Sequence, residues 1–356
     1  MIRKTLLGFT ALLVLFVCAT PPVAGWEVTY LHPAGSTESR ALGVSGGQQV
    51  GWVRTGSVSQ AGYWSGTAAS FVDLNPAGVT SSKACAASGG QQVGAVVVGE
   101  VFNARLWSGT AESWVDLNPI GSYISSAYSV SGGRQVGFAF IQGSYHAALW
   151  SGSAGSFVDL NPGGSSESYA NAISDTQQVG SVSIAGQGRA ALWSGTAGSF
   201  VDLHPAGTNS STASGVSDGQ QVGTVSGNSF IMHAALWTGT AASFVDLHPA
   251  GASRSSASAV SSGYQAGAVD GHAGLWSGTA QSWEDLHGFL GVDYRSSYAY
   301  GIEVTGSDIW VAGYAYDSVA NRHEAIMWHK VIPEPSSLLA LGSGLLALGG
   351  LIRRRR

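Results

Sequence analysis

The sequence predicts an all-β fold, a seven-bladed β-propeller built from about 43-residue four-stranded repeats. Two interleaved markers and the phase of the chain ends predict it. The first marker is a tryptophan closing segments such as Gly-Tyr-Trp and Ala-Leu-Trp. It falls at Trp64, Trp107, Trp150, Trp193, Trp237, Trp276 and Trp328, with spacings of 43, 43, 43, 44, 39 and 52. The second is a glycine closing Gln-Val-Gly-type segments, at Gly51, Gly94, Gly137, Gly180, Gly223, Gly267 and Gly313. Self-similarity at this period is the mark of solenoids and propellers.

Within one unit, four runs of four to seven residues are rich in Val, aromatic or small residues and are bounded by turn formers; they cover 157–160, 169–173, 178–184 and 189–193. Residues 25–330 carry no helical periodicity. Four short strands per repeat suit a propeller blade, and an open β-solenoid is the competing architecture. The chain ends favour closure. Val28-Thr29-Tyr30-Leu31-His32-Pro33 stands where Phe71 to Pro76 stands later, and Ala325-Ile326-Met327-Trp328 has no such strand after it. The surplus strand at the start therefore completes the last blade and removes an exposed sheet edge.

Each recurring residue type has a structural expectation. The tryptophans and the aromatic slot at Phe71, Trp114, Phe157, Phe200, Phe244 and Trp283 should fill the space between blades. The strand glycines should lie where a Cβ would clash, as on the crowded inner side of a propeller. An aspartate recurs at Asp73, Asp116, Asp159, Asp202, Asp246 and Asp285. Six equivalent acids suit a repeated hydrogen bond better than catalysis. Two places on, His32, Asn75, Asn118, Asn161, His204, His248 and His287 share a slot, which suits a turn-fixing bond. A metal-binding histidine ring is the sharper alternative there. Four residues before each tryptophan the units differ, with Gln60, Asn103, His146, Arg189, His233, His272 and Glu324. A ligand-facing rim and an unengaged exposed position both produce such variation. The last unit is the most divergent and is rich in aromatics. Tyr294, Tyr298 and Tyr300 are its candidate ligand contacts, because aromatic platforms stack on sugar rings, with core filling as the alternative.

The ends of the chain carry an address. Arg3 and Lys4, an apolar stretch over 6–18 and Thr20-Pro21-Pro22-Val23-Ala24 follow the order of a secretory signal peptide, assigned to residues 1–24. Cys18 raises a lipoprotein reading, but Leu15-Phe16-Val17 lacks the small residue expected before a lipidated cysteine. With the leader removed, Cys85 is the only cysteine left, so no internal disulfide and no cysteine-pair zinc site can form. At the other end, residues 331–356 open on Pro333-Glu334-Pro335, whose prolines hold an extended segment. Residues 336–352 form an uncharged apolar run, which as a helix would span roughly 25 Å. Arg353, Arg354, Arg355 and Arg356 close the chain and would stay cytoplasmic.

This tripartite tail resembles the PEP-CTERM sorting signal of Gram-negative bacteria. The resemblance implies an exosortase-type sorting enzyme as partner, transient anchoring in the inner membrane through the C-terminal helix, removal of the tail, and release to the cell surface or extracellular matrix. The repeats, with Gln-Val-Gly followed by His-Ala-Ala-Leu-Trp and an Asp-Leu segment, resemble HAF-type extracellular repeats over nearly all of residues 28–330. They depart where Asp-Leu-Asn-Pro or Asp-Leu-His-Pro replaces Asp-Leu-Gly.

Residues 25–330 hold ten Lys plus Arg against twenty Asp plus Glu, a balance that argues against nucleic acid as a partner. Two Gly-x-Ser-x-Gly segments, 43–47 and 215–219, fall in repeat turns without a following helix, so the nucleophile elbow is missing. No phosphate loop, His-Glu-x-x-His or calcium loop occurs, and no cofactor is implied. Off the repeat pattern, Glu100, Asp293, Glu303 and Asp308 are the acids to watch for a paired-carboxylate mechanism. The resulting expectation is a non-enzymatic binding or structural module of the cell surface or matrix, with extracellular polysaccharide as a possible partner. The alternative is a hydrolase or lyase acting on that polysaccharide.

Overall fold

The structure, a computed structural model, describes residues 25–227 and 231–332. These residues form seven four-stranded antiparallel sheets. Blade 1 consists of strands Glu38–Ser45, Gln48–Thr55, Val58–Trp64 and Val72–Asp73, paired in that order from the central channel outwards. Blades 2 to 6 repeat this plan over 81–116, 125–159, 167–202, 210–246 and 255–285. Blade 7 takes Tyr294–Thr305, Asp308–Asp317 and Arg322–Val331 from the end of the chain and Glu27–Tyr30 from its start. The closing register sets Glu27 opposite His329 and Tyr30 opposite Ile326. The expected closure therefore holds. The strand expected at 157–160 is the short outer strand Val158–Asp159, and it pairs with Ser144–Trp150, so it closes blade 3 rather than joining the runs at 169–193 in blade 4.

Strand direction gives the ring two rims. The upper rim carries the hairpins between second and third strands and the Leu-Asn-Pro or Leu-His-Pro loops that cross to the next blade. The lower rim carries the hairpins between first and second strands and the Ser-Gly-Thr-Ala loops.

In every blade the first strand has a bulge, between Ala41 and Gly43 in blade 1 and between Ala170 and Ala172 in blade 4. A bulge leaves one residue unpaired and re-aims its side chain. Here the unpaired residues are Leu42, Cys85, Tyr128, Asn171, Ser214, Ser258 and Tyr300, and all seven line the central channel. The recurring glycine lies opposite the bulge, in the second strand. A Cβ on Gly180 would overlap the Tyr169 carbonyl oxygen, and Gly51 meets Arg40 in the same way. The expected clash is real, but it comes from the neighbouring strand within one blade rather than from blades converging on the axis.

The cores lie between blades. Trp193 packs with Leu160, Ala170 and Val182 of blades 3 and 4 against Val136 and Leu149 of blade 3, and the other repeated tryptophans do the same at their junctions. All seven are at most 1% exposed. The aromatic slot sits beside them, as with Trp193 and Phe200, whose ring centroids are 6.2 Å apart, except that Trp114 is exposed and lies under the Arg105 guanidinium. Trp328 donates its indole N–H to the Leu286 carbonyl, whereas the other six repeated tryptophans bury theirs without a protein acceptor.

Candidate functional site

The repeating polar residues are engaged in holding the ring. The Asn or His slot contacts a buried serine at the start of the next blade, and that serine accepts a backbone N–H from the preceding one. Asn75 accepts from Ser82, whose Oγ accepts the Ala61 amide, and Asn161, Ser168 and Ala147 repeat the relay. His32 with Ser39, His204 with Ser211, His248 with Ser255 and His287 with Ser297 take the same places. The serine hydroxyl has one proton, which goes to Asn Oδ1 or His Nδ1. The histidines are then neutral rings protonated on Nε2, which donates to the Ser36, Thr208 and Ala252 carbonyls from His32, His204 and His248. Burial is the leading cause that lowers the pKa of His32, His204 and His287, with the Arg322 and Arg189 guanidiniums and His272 adding to it respectively. Among the described residues no group of three or more His, Cys, Asp or Glu is placed to hold a metal ion.

The recurring aspartates are bound twice. One carboxylate oxygen accepts the amide two residues on, at 2.7–2.9 Å from Asn75 to His287. The other oxygen meets the variable residue before the tryptophan: Gln60 on Asp73, His146 on Asp159, Arg189 on Asp202, His233 on Asp246 and His272 on Asp285. In blade 2 Arg105, two residues beyond Asn103, serves Asp116 instead, donating to the same Oδ1 that accepts the Asn118 amide. The variable slot is thus mainly an aspartate partner. Blade 7 has Tyr30 where the others have Asp, and its slot residue Glu324 is buried and accepts from Tyr294 Oη and Arg322 Nε.

One staple was not foreseen from the sequence. Buried Gln49 donates to Gly47 O and accepts from Gly66 N, joining the two lower-rim loops of blade 1. Gln92, Gln135, Gln178, Gln221 and Gln265 repeat it. The available signal was the glutamine two places before each strand glycine. Blade 7 has Val311 there, and it also lacks the Ser-Gly-Thr-Ala loop that would need stapling.

What does not repeat is spatially uneven. The channel encloses a cavity of about 620 Å³ whose bulge ring passes from Tyr300 and Tyr128 to Ser214 and Ser258. Towards the lower mouth its wall ends in six serines and Glu303, whose carboxylate accepts the Gly46 amide. Burial pushes the Cys85 thiol up to about 11, so it stays protonated. On the upper rim, first- and second-strand positions hold Arg40 and Trp52 in blade 1, Lys83 in blade 2, Phe138 in blade 3, Tyr169 in blade 4 and Tyr298 and Tyr314 in blade 7, but only Ser, Thr or Ala in blades 5 and 6.

The three candidate tyrosines do not form one platform. Tyr300 stacks on Tyr314 with centroids 5.3 Å apart, and Tyr298 lies 5.6 Å from the same ring. Tyr294 instead stacks on Tyr30 at 5.6 Å and binds Glu324. The four off-pattern acids are likewise dispersed. Glu100 and Asp293 sit in upper-rim turns, Asp308 binds His329 on the lower rim, and only Glu303 lines the channel.

The signal peptide with Cys18, and Pro333, Glu334, Pro335, the apolar run and Arg353 to Arg356, lie outside the described residues. Among the described residues no helix is long and apolar enough to cross a membrane.

Comparison with known proteins bears on the C-terminal segment and on the ring. Residues 331–356 match the PEP-CTERM protein-sorting motif. No curated protein matches the chain. Among solved structures, puromycin hydrolase in its S511A mutant complexed with PGG aligns with a TM-score of 0.53 at 11% identity, covering 83% of this chain and 56% of that one. Puromycin hydrolase without the mutation aligns at 0.50 and 11% identity over the same shares. The chain spans about half the length of these structures, and the likeness is one of fold. The protein is a seven-bladed propeller that carries a PEP-CTERM protein-sorting motif, which marks it as an exosortase-targeted, exported protein.

Proposed function

We propose that the protein is a non-enzymatic binding module of the cell surface or extracellular matrix, made of a leader (1–24), a propeller (25–330) and a sorting segment (331–356), and that it associates there with extracellular polysaccharide. The observation that carries this reading is the division of labour among its polar residues. The recurrent aspartates, glutamines and Asn or His residues are spent on bonds within the ring, while non-repeating aromatics cluster on blades 3 and 4 and on blade 7, and the blade 7 cluster adjoins the cations Arg40, Arg54 and Lys83 on the upper rim of blades 1 and 2. A rigid scaffold with a locally varied rim is suited to recognition, although a fold by itself fixes no function. A paired-carboxylate hydrolase would need two acids facing one cleft, and Glu303 stands alone in the channel among the four acids considered.

The test is retention of the purified chain on the producing cell's own extracellular polysaccharide at moderate salt. Retention supports the reading. Release of the polysaccharide as shortened chains, abolished by Glu303→Gln, would replace it with the hydrolase.

A further inference from the structure

Three cationic side chains converge on one indole. Arg40, Arg54 and Lys83 lie 5.3, 5.3 and 5.0 Å from the Trp52 ring centroid. Like charges brought this close oppose one another, and the face of an indole offsets only part of that cost. The acid at hand is Glu38, which accepts from Arg40 through one oxygen and from Arg54 through the other, both at 2.8 Å. Lys83 is exposed and forms no ion pair among the described residues. Elsewhere the paired cations each have their own acid, as in Arg105 with Asp116, Arg189 with Asp202, Arg322 with Glu324 and Lys330 with Glu284, while Arg134, Arg254 and Arg295 stand singly without an ion pair among the described residues. This junction of blades 1 and 2 is therefore a positive spot on an acidic ring.

The spot continues into aromatic surface. Arg40 also lies 4.5 Å from the Tyr314 centroid; Tyr314 is buried, as Trp52 is, and stacks on Tyr300, a residue that is 38% exposed. Tyrosine, guanidinium, indole and ammonium thus follow one another across three blades, from the channel mouth to the rim. A sugar ring offers an apolar C–H face to an aromatic side chain, and a carboxylated sugar adds an anion for Lys83 and Arg54.

We propose that the upper rim of blades 7, 1 and 2 binds an acidic, carboxylated polysaccharide, with Lys83 and Arg54 meeting its carboxylates and Tyr300 stacking on a sugar face. This rests on the matrix-binding reading and names the class of glycan. An anionic membrane fits less well. A polymer strand can lie along the positive spot, whereas a flat surface also faces the acids in the other upper-rim turns, such as Glu100, Asp270 and Asp293.

The experiment is affinity electrophoresis of the full chain in detergent, through gels containing polygalacturonate or neutral dextran, with the cell's own polysaccharide as a third gel. Polygalacturonate should retard the chain and dextran should not, and added salt should weaken the retardation. Lys83→Ala and Arg54→Ala should each weaken it roughly fivefold. Arg134→Ala, which removes a cation from the lower rim, should leave it unchanged. An equal loss in Arg134→Ala, or full retardation of Lys83→Glu, overturns the assignment. So does co-sedimentation with phosphatidylglycerol vesicles in the absence of any polygalacturonate effect. Retardation by the cell's own polysaccharide but not by polygalacturonate overturns the acidic-glycan assignment and leaves matrix binding standing; retardation by neither overturns both.

Discussion

Ser39 Oγ accepts the Ala325 backbone N–H at 2.9 Å, bridging the one junction where the first complete blade meets the last. The pair is 286 positions apart in sequence, yet it repeats the geometry of Ser168 with Ala147, which are 21 apart. Neither serine exposes any surface. The closing junction is therefore built from the same bonds as an internal one, and the chain gains no special latch.

Replacing Ser39 by Ala should leave the Ala325 amide and His32 Nδ1 unpaired in a buried place. The expected loss is about 1–3 kcal/mol of unfolding free energy. Ser168→Ala should lose a similar amount, because its surroundings are equivalent. Denaturant midpoints measure both, and an unchanged midpoint in either variant would show that the relay is not stabilising.

Acid should weaken the fold before the carboxylates titrate. His32, His204, His287 and His323 all have pKa values lowered from 6.5, with burial as the leading cause. The fold thus favours the neutral ring, and its contribution is fully present above about pH 6.5 and is lost as pH falls through the window just below. Melting temperature should drop between pH 7 and 5.5. Asn75, Asn118 and Asn161 already occupy the slot after blades 1 to 3, so a triple H32N, H204N, H287N variant should melt with a shallower pH dependence. An identical slope would remove these histidines from the account.

Gly180→Ala should be among the most damaging single methyl additions in the ring. The new Cβ would overlap a backbone carbonyl, so the strand pair itself must move. A loss of roughly 1–3 kcal/mol or more follows from overpacking of this kind. The same change at Gly188, where a Cβ meets nothing within 4 Å, is the control, and its melting temperature should stay near that of the parent.

The two roles of the last blade's tyrosines separate by mutation. Tyr294→Phe removes the Oη donor to buried Glu324 and should lower stability by roughly 1–3 kcal/mol without changing glycan retention. Tyr300→Ala should weaken retention with little change in melting. Reversed outcomes would make Tyr294 the contact and Tyr300 filler.

The ring and its closing strand were legible because tryptophan and glycine recur in positions where few other residues fit. Trp328 without a following Asp-Leu strand and Leu31 without a preceding blade together disclosed the shared seventh sheet. The relay serines were not legible. In a chain this rich in serine, Ser39 or Ser168 looks like any strand-edge residue, and its role depends on an amide that only the adjacent blade supplies. The partnership of the variable slot with aspartate was hidden for a similar reason: Gln60, His146 and Arg189 share no chemistry beyond a nitrogen that reaches a carboxylate. The rim cluster was divided by sequence distance, with Arg40, Trp52 and Lys83 at one end of the chain and Tyr300 and Tyr314 at the other. Only closure makes them neighbours.

Closure also gives the protein a standing orientation. Glu27 faces His329 across the seventh sheet, so both polypeptide ends leave side by side from the lower rim. Chain running on from Val331 therefore leaves the ring at its base. An anchor at that end would turn the lower hairpins towards the lipid and the rim bearing Lys83 outward, like the mouth of a cup set upright on a table. Surroundings reach that mouth first, before any enzyme cuts the stem.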